Sequence, residues 1–595
     1  MIDWKRNGPS LSSGPARFSW PDVSEDLPVD VMPCSNDEYF PPPPSVAQRA
    51  IMDLASRETE RQRTKFGMTR AQFVRTAAAT IIGFWAVDYV RMGRFGTYGY
   101  AQAGTKRPDA CDLDFVGGKG LESLRNLPGE FIFDVQSHHV DPDGMWRVTN
   151  PAIEAFFAGI WPQASPATGG KPSVGPGGWV RGGGGGEVDP IQNLSRFHYL
   201  KELFLDSATT MTVLSVVPTS PDTNNPLPIA EAAKTIETVH ELARSRRSVM
   251  HAFVMPNRGS GGNSTPNMKP THLDEELQMM MERAHKYRHI LRGWKTYCAW
   301  ADVTYASGWF LDTDTGMAFL EQVRKVHKAV PEVPKVVATH KGFALPGFDQ
   351  RAATPRDIGP AAKQFRDVTI LVYHSGYDIG DTQRPYRGDA KANSNTNTVD
   401  ALVKSLRENH WDASRFRKKG HRFGNVPNVY AELGSVWRSV MDDPDQCAHL
   451  LGKLITHVGP KRIAWGTDSL WYGSPQAEIV AMRRFEFTDR GKELYHLPFG
   501  LEGDVEDPTR RAPSPERTIR NGILGRNAAR AYGINVEARR NAIACDDVQA
   551  LRDNGYLRGE PGGMTESAPL ASHVAPGPRT RREILTSLRE TPWSP

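Results

Sequence analysis

Short apolar runs rich in β-branched residues recur from residue 130 onward, and a helical pattern follows each of them. The eight runs lie at 131–135, 211–217, 249–255, 293–297, 335–339, 369–373, 428–433 and 462–466. Between the second and third runs, one helical face carries Ile229, Ala232, Ala233, Ile236, Val239 and Leu242, the spacing of an amphipathic helix. Met317, Leu320, Val323 and Val326 repeat this spacing between the fourth and fifth runs. Apolar strands alternating with helices predict a parallel sheet.

Eight such units predict an α/β protein with a closed (β/α)8 TIM barrel, long loop insertions and extensions at both ends. An open doubly wound sheet is the alternative. No GxGxxG or GxxxxGK[ST] motif follows any run, so the sequence indicates neither a dinucleotide nor a P-loop site. Two long insertions, a glycine-rich one at 169–186 and another at 377–397, follow strands, and their composition predicts flexible loops.

The regions outside the barrel differ from it in composition. We expect a disordered extension at 1–65, a helical or signal-like segment and linker at 66–129, the barrel at 130–535 and an extension at 536–595. The stretch "MTRAQFVR" at 68–75, with apolar residues to 87, resembles a twin-arginine export signal, although Ala71 stands for the second arginine. A buried or amphipathic helix explains it equally well, so the compartment stays open between cytoplasm and export. The apolar stretch is too short to span a bilayer.

Charge and cysteine content narrow the range of partners. The chain has 73 Lys and Arg against 68 Asp and Glu, interspersed, for a net charge of +5. This balance does not indicate a nucleic-acid partner. Five scattered cysteines without a CxxC pair predict free thiols. We expect a small-molecule substrate, and the helical pattern at 580–590 is suited to covering the barrel or contacting a second copy of the chain.

Polar residues cluster where the predicted strands end, which is where barrel enzymes carry their active sites. The residues in question are Gln136, His138 and His139 on the first strand, Lys295 on the fourth, His340 on the fifth, His374 on the sixth, Glu432 on the seventh and Asp468 on the eighth. Three imidazoles and a carboxylate converging on the barrel axis suit one divalent ion, best Zn²⁺, with Mn²⁺ or Fe²⁺ as alternatives. Such an ion would lower the pKa of a bound water, and a neighbouring carboxylate would act as its general base.

The motifs "FDVQSHH", "ATHKG", "VYHSG" and "IAWGTDS", and the segment "ILGRNAARAYGI" at 523–534, appear in the order and at the strands expected of one family. On these motifs, over roughly residues 130–535, the chain resembles the metal-dependent amidohydrolase superfamily, in particular its amidohydrolase-related branch. The resemblance implies hydrolysis of C–N or C–O bonds. This branch also includes non-oxidative decarboxylases and hydratases.

The first strand departs from the family's D-x-H-x-H motif, because a glutamine stands where the motif has its first histidine. Residues i and i+2 of a strand share a face, so Gln136 takes the place of the first ligand histidine beside His138. An amide oxygen is a weaker zinc ligand than imidazole, so the ion would be held more weakly. His139 points to the opposite face unless the strand bends there. In some members of the superfamily a fourth-strand lysine is carboxylated and bridges two metals, but here we expect Lys295 to be a charge near the substrate.

We therefore expect a hydrolase in which Asp468 takes a proton from metal-bound water. His374 would orient this water or polarise the carbonyl, and His138 and His340 would hold the ion together with Gln136. Decarboxylation of an aromatic or enoic acid is the second expectation. A degenerate barrel kept as a binding or scaffolding subunit is the third.

Overall fold

The computed structural model describes residues 46–74, 82, 86, 97–101, 126–127, 129–151, 153–157, 190–205, 207–218, 224–259, 270–300, 308–344, 348–378, 381–386, 399–409, 428–441, 443–544 and 546–551. The chain divides into two compact units, of which the larger spans residues 91–577 and 586–595. The predicted loop at 169–186, most of the loop at 377–397, the helix at 580–590 and Cys34, Cys111 and Cys545 lie outside the described residues. Cys298 and Cys447 are buried free thiols, as predicted.

The larger unit contains ten strands in its described part. They are β1 (Gly99–Ala101), β2 (Phe133–Ser137), β3 (Met211–Leu214), β4 (Ser248–Phe253), β5 (Leu291–Tyr297), β6 (Val336–His340), β7 (Thr369–Tyr373), β8 (Val429–Glu432), β9 (Ile463–Ala464) and β10 (Phe485–Phe487). Strands β2 to β9 form one parallel sheet in chain order. Each of them overlaps one predicted run.

Backbone hydrogen bonds join the first and last strands of this sheet and so close it into a barrel. Val135 N donates to Trp465 O at 3.0 Å, and Asp468 N donates to Gln136 O at 2.8 Å. The predicted (β/α)8 barrel is confirmed. Strands β1 and β10 form a separate antiparallel pair that the sequence pattern did not predict, and β1 lies within the expected linker.

Helices follow the barrel strands. The longer ones are Ile229–Ala243, Leu273–Tyr287, Asp314–Ala329, Val399–Glu408, Pro444–His457 and Gln476–Arg484. Shorter helices are Trp146–Thr149, Arg196–Leu200, Gln350–Ala353, Ile358–Gln364, Val436–Val440, Asp489–Tyr495, Ile519–Asn521, Asn527–Ala531, Val536–Ile543 and Asp547–Leu551. The predicted apolar faces are buried except at Met317, which is half-buried, and at Leu242. Leu242, in the last turn of its helix, is 51% exposed.

The barrel interior has its own apolar cluster, separate from the layer between strands and helices. On β6, Val336 and Ala338 belong to the interior cluster, whereas Val337 packs in the outer layer, as the alternation of a strand requires. Tyr532, from the segment after β10, packs on Phe133 with ring centroids 5.5 Å apart. This segment closes the amino end of the barrel and leaves the carboxyl end for chemistry.

The smaller unit, Met1–Val90 with Pro578–Leu585, corrects one expectation. Residues 1–65 were expected to be extended or disordered, but Val46–Lys65 forms a 20-residue helix. Its charged run forms ion pairs three residues apart, including Arg61 with Glu58, and such pairs stabilise helices. A short helix, Arg70–Phe73, follows it within the signal-like stretch. None of the helices among the described residues is long and apolar enough to cross a membrane.

Candidate active site

Five side chains from the carboxyl ends of four strands meet in a buried cluster. The strand-end cluster consists of Gln136, His138, His340, His374 and Asp468. Gln136 Nε2 lies 2.8 Å from Asp468 Oδ1 and 3.4 Å from His374 Nε2. His138 Nε2 lies 3.0 Å from the same carboxylate oxygen, and His340 Nδ1 lies 3.2 Å from His374 Nε2. The structure thus brings together all five residues that the sequence predicted as ligands.

Each of the three imidazoles has one nitrogen next to a backbone carbonyl oxygen. His138 Nδ1 lies 2.7 Å from Ser215 O, and His374 Nδ1 lies 2.7 Å from Gly434 O. His340 Nε2 lies 3.3 Å from Phe343 O. Because an N–H on the anchored nitrogen fixes the ring, the other nitrogen of each ring faces the interior of the cluster. Burial lowers the pKa of His374 to about 4 and that of His340 well below its ordinary value, so both rings are uncharged at neutral pH.

Asp468 is held at both carboxylate oxygens. Oδ1 contacts Gln136 and His138, while Ser435 Oγ donates to Oδ2 at 2.5 Å. The Tyr472 hydroxyl lies 2.8 Å from Ser435 Oγ. Burial by itself would raise the pKa of Asp468, but the hydrogen bonds and charges of its neighbours, foremost His138, outweigh burial and hold this pKa well below its usual range.

Sequence reasoning missed Ser435, although a signal was present. Ser435 directly follows the "AELG" end of β8, so it is one more polar residue at the carboxyl end of a barrel strand. Its φ of 56° is in the left-handed region, as are those of Asp468 (63°), His374 (64°) and Ser375 (50°). Residues other than glycine seldom adopt this conformation, and it concentrates at functional sites.

Glu432 lies beneath the cluster and accepts backbone hydrogen bonds. Its Oε2 accepts from His374 N at 2.9 Å and its Oε1 from Gly434 N at 2.6 Å. Both carboxylate oxygens of Glu432 therefore have backbone N–H groups as hydrogen-bond donors. Burial, together with the negative charge of Asp468, raises the pKa of Glu432 well above its ordinary value. Glycine is required beside it, because a Cβ on Gly466 would lie 1.7 Å from Glu432 Oε1.

His139 lies outside the cluster. Its Nε2 is 2.9 Å from Thr235 Oγ1, on the helix Ile229–Ala243, and its Nδ1 is 3.0 Å from Val140 O. The strand therefore does not bend enough to bring His139 to the site.

Lys295 points into the barrel one layer deeper than the cluster. Register pairs Tyr297 with His340, and Lys295 precedes Tyr297 by two residues on the same face. Its Nζ lies 3.5 Å from the ring centroid of Tyr373 and 4.4 Å from that of Tyr297, and it has no hydrogen-bond partner among the described residues. Burial lowers its pKa well below the ordinary value. Its expected role as a charge near the substrate stays a prediction.

Aromatic rings surround the imidazoles. Trp471 stacks on His138 at 5.2 Å, Tyr297 on His340 at 5.0 Å, and Phe343 lies 4.9 Å from His374. Trp471 is thus at the site. Trp309 packs on Phe319, in the layer between strands and helices.

The predicted divalent ion can be tested against this arrangement. The donor chemistry suits such an ion, but no group of three or more His, Cys, Asp or Glu side chains in the described part of the chain is arranged to hold one. Moreover, Gln136 directs an N–H donor, not a lone pair, at Asp468. As they are arranged here, these residues do not fit a metal ion.

A comparison with models of protein families found a match in the second half of the barrel. Residues 323–534 match the family model described as amidohydrolase. This segment contains His340, His374 and Asp468, whereas Gln136 and His138 precede it. No curated protein sequence matches the chain.

Solved structures of several barrel proteins are similar to this chain. A 5-carboxyvanillate decarboxylase from Novosphingobium aromaticivorans, solved with manganese, is 11% identical with a TM-score of 0.37, over 69% of this chain and 99% of that one. A TIM-barrel protein from Bordetella bronchiseptica is 12% identical with a TM-score of 0.35, over 68% and 98% of the two chains. A 2-pyrone-4,6-dicarboxylic acid hydrolase candidate from Pseudomonas putida is 11% identical with a TM-score of 0.31, over 68% and 97%.

The family match covers the second half of the barrel. In the first half, the motif "FDVQSHH" lies at the carboxyl end of β2. The resemblance drawn from the sequence is thus confirmed: residues 323–534 of the chain match the amidohydrolase family model.

Proposed function

We propose that the chain is an enzyme that hydrolyses a C–N or C–O bond of a small organic molecule at the carboxyl end of its barrel. The observation that carries this proposal is the buried contact between His138 Nε2 and Asp468 Oδ1, at 3.0 Å, within the strand-end cluster. Buried acid–base pairs held at a strand end are the machinery that barrel enzymes use.

The proposed reaction uses one proton that the pair shares. His138 Nδ1 donates to Ser215 O, so in a neutral ring Nε2 would be an acceptor facing a carboxylate oxygen. A proton on Nε2 resolves this conflict and makes the pair an imidazolium beside a carboxylate. Asp468 takes a proton from the attacking water as its oxygen bonds to the carbonyl carbon. His138 gives its proton to the leaving nitrogen or oxygen, and Asp468 then returns a proton to His138.

The other residues orient the reactants. His374 is uncharged because of burial, and Gln136 connects it to the His138–Asp468 pair. We therefore assign to His374 the role of positioning the attacking water. Ser435 holds the second oxygen of Asp468 and prevents the carboxylate from rotating. The strand-end cluster as it is arranged does not fit the divalent ion expected from the sequence, so no step above uses one.

Decarboxylation of an aromatic or enoic acid is the second candidate. The rings of Trp471, Tyr297 and Phe343 beside the three imidazoles favour a flat substrate, and the His138–Asp468 pair could supply the proton that replaces the carboxyl group. The scaffold hypothesis has less support, because Asp468 and Ser435 keep strained backbone conformations that a site without function does not need.

The test is a substrate panel with paired variants. Esters, lactones, amides and aromatic carboxylic acids are incubated with the chain, and acid release and CO2 release are measured separately. Asp468→Asn keeps the shape but removes the proton acceptor, so we expect a loss of turnover of about a hundredfold or more. The exposed Asp489→Asn serves as the control and should retain full activity.

Acid release without CO2 supports hydrolysis, and CO2 release supports the second candidate. Turnover by Asp468→Asn at the rate of the unmodified chain would remove Asp468 from the mechanism, and Glu432 would be the next carboxylate to test. A folded chain that turns over none of the panel would favour the scaffold.

A further inference from the structure

Gln136 occupies the centre of the strand-end cluster. Its amide nitrogen is the atom that contacts both the carboxylate of Asp468 and the imidazole of His374. We propose that this amide takes the place of a metal ion, so that the folded chain joins Asp468 to His374 by hydrogen bonds and retains no divalent cation. This inference rests on the proposed location of the site but not on the reaction catalysed there.

The first argument is the kind of atom that Gln136 presents. An amide NH2 group has two hydrogens to donate and no lone pair for a metal ion. One hydrogen is directed at Asp468 Oδ1 at 2.8 Å, and Nε2 lies 3.4 Å from His374 Nε2. Both of these acceptors are atoms that an ion would need. The amide therefore competes with a cation for the same lone pairs.

The second argument is that Asp468 holds the amide in this orientation. Turning the amide by half a rotation would set its oxygen against Asp468 Oδ1 at hydrogen-bond distance, and two acceptors at that distance repel each other. The amide oxygen now lies on the other side, near Gly434, where a Cβ would approach it to 2.4 Å. There it is buried without a hydrogen-bond partner among the described residues. Leaving Oε1 unpaired is thus the cost of directing Nε2 at the carboxylate.

The third argument is that His138 and Asp468 already have each other as partners. His138 Nε2 lies 3.0 Å from Asp468 Oδ1. An ion would have to break this contact as well as the contact from Gln136, so the two contacts close the site against it.

The experiment measures metal content and therefore needs no substrate. The full chain and Gln136→His are produced in medium containing zinc, manganese and iron, purified without chelator, and analysed by mass spectrometry for bound metals. We expect the unmodified chain to carry well below one ion per chain. Gln136→His replaces the N–H donor with an imidazole lone pair, so it should carry about one ion and bind Co²⁺ at least about tenfold more tightly.

Two further variants locate the ion. Gln136→Glu also supplies a lone pair and should gain metal. The double variant Gln136→His with His139→Gln removes the neighbouring imidazole that faces Thr235, and it should keep the ion that Gln136→His gained. Circular dichroism and thermal unfolding check that each variant is folded.

About one tightly bound ion in the unmodified chain would overturn the inference, whether or not the variants fold. Folded Gln136→His with unchanged Co²⁺ affinity would overturn it as well, because the amide would then not be what excludes the ion. A metal-free chain that turns over no substrate would contradict the proposed function while leaving this inference intact.

Discussion

At the scale of single residues, the strand-end cluster shows how far side-chain chemistry follows from sequence position. The period of a strand placed Gln136 and His138 on the inner face and His139 on the outer face, and all three lie there. Which atoms they contact could not be predicted in this way. The partner of Gln136 is Asp468, 332 residues away in the chain, and only closure of the barrel brings the two together.

His139 gives a prediction for the pH dependence of stability. Burial against the helix Ile229–Ala243 lowers its pKa to about 3. The unfolded chain binds a proton at this residue below about pH 6.5, whereas the folded chain does not, so stability falls as the pH decreases from that value toward 3. The contribution of this one residue reaches about 1.4 kcal/mol per pH unit.

Replacing His139 with glutamine keeps polar atoms near Thr235 but removes the titrating group. Urea unfolding at pH 7.5, 6, 5 and 4.5 should show that His139→Gln loses stability less steeply with acid than the unmodified chain. Above pH 7 the two curves should run parallel. Equal slopes at all four pH values would mean that His139 is protonated in the folded chain.

At the scale of elements, a buried ion pair holds the segment that follows the barrel against the start of β4. Arg247, directly before β4, binds Asp546 through Nε at 2.6 Å and Nη2 at 2.8 Å, and both side chains are almost fully buried. Ser245 Oγ donates to the same carboxylate. Removing one member of such a pair strongly destabilises the fold, because the other charge stays buried without its partner.

Asp546→Ala is therefore expected to lower the free energy of unfolding by about 3–5 kcal/mol. Asp547→Ala is the matched control, since Asp547 pairs with Arg244 at the surface, where 79% of the Arg244 side chain is exposed, and it should cost at most about 0.5 kcal/mol. Chemical denaturation of the three chains measures both values. Similar midpoints for the two variants would show that the buried pair does not fasten this segment.

At the scale of the whole molecule, the segment that precedes the barrel in the chain packs against elements from the last part of the barrel's sequence. Strand β1 pairs with β10, and the Tyr98 ring lies 4.7 Å from that of His449. Asp445 Oδ1 accepts a hydrogen bond from Tyr98 N at 2.6 Å. Residues 97–101 are therefore part of the larger unit, although the sequence suggested a linker there.

Truncation tests the contribution of this strand. A chain that begins at residue 126 lacks β1. We expect it to be less stable by about 1–3 kcal/mol than a chain that begins at residue 97, because it loses a half-buried tyrosine ring and its hydrogen bonds. Thermal unfolding of the two truncated chains measures the difference, and Tyr98→Ala in the full chain should reproduce part of it. Identical unfolding temperatures would mean that β1 contributes nothing to the barrel.

The sequence by itself determined the eight barrel strands and the polar residues at their ends. Nearly continuous apolar runs predict strands that are buried on both faces, and parallel strands bring their carboxyl ends to one edge. The family resemblance rests on the same local information.

Only the tertiary structure decided which atoms pair, because hydrogen-bond partners are set by distance in space and not by order in the chain. Contacts between residues far apart directed the amide of Gln136 at Asp468, placed Ser435 behind that carboxylate and set Lys295 one layer below the site. β1 has a partner almost 400 residues away, in β10, and so gave no local signal that a sequence pattern could carry.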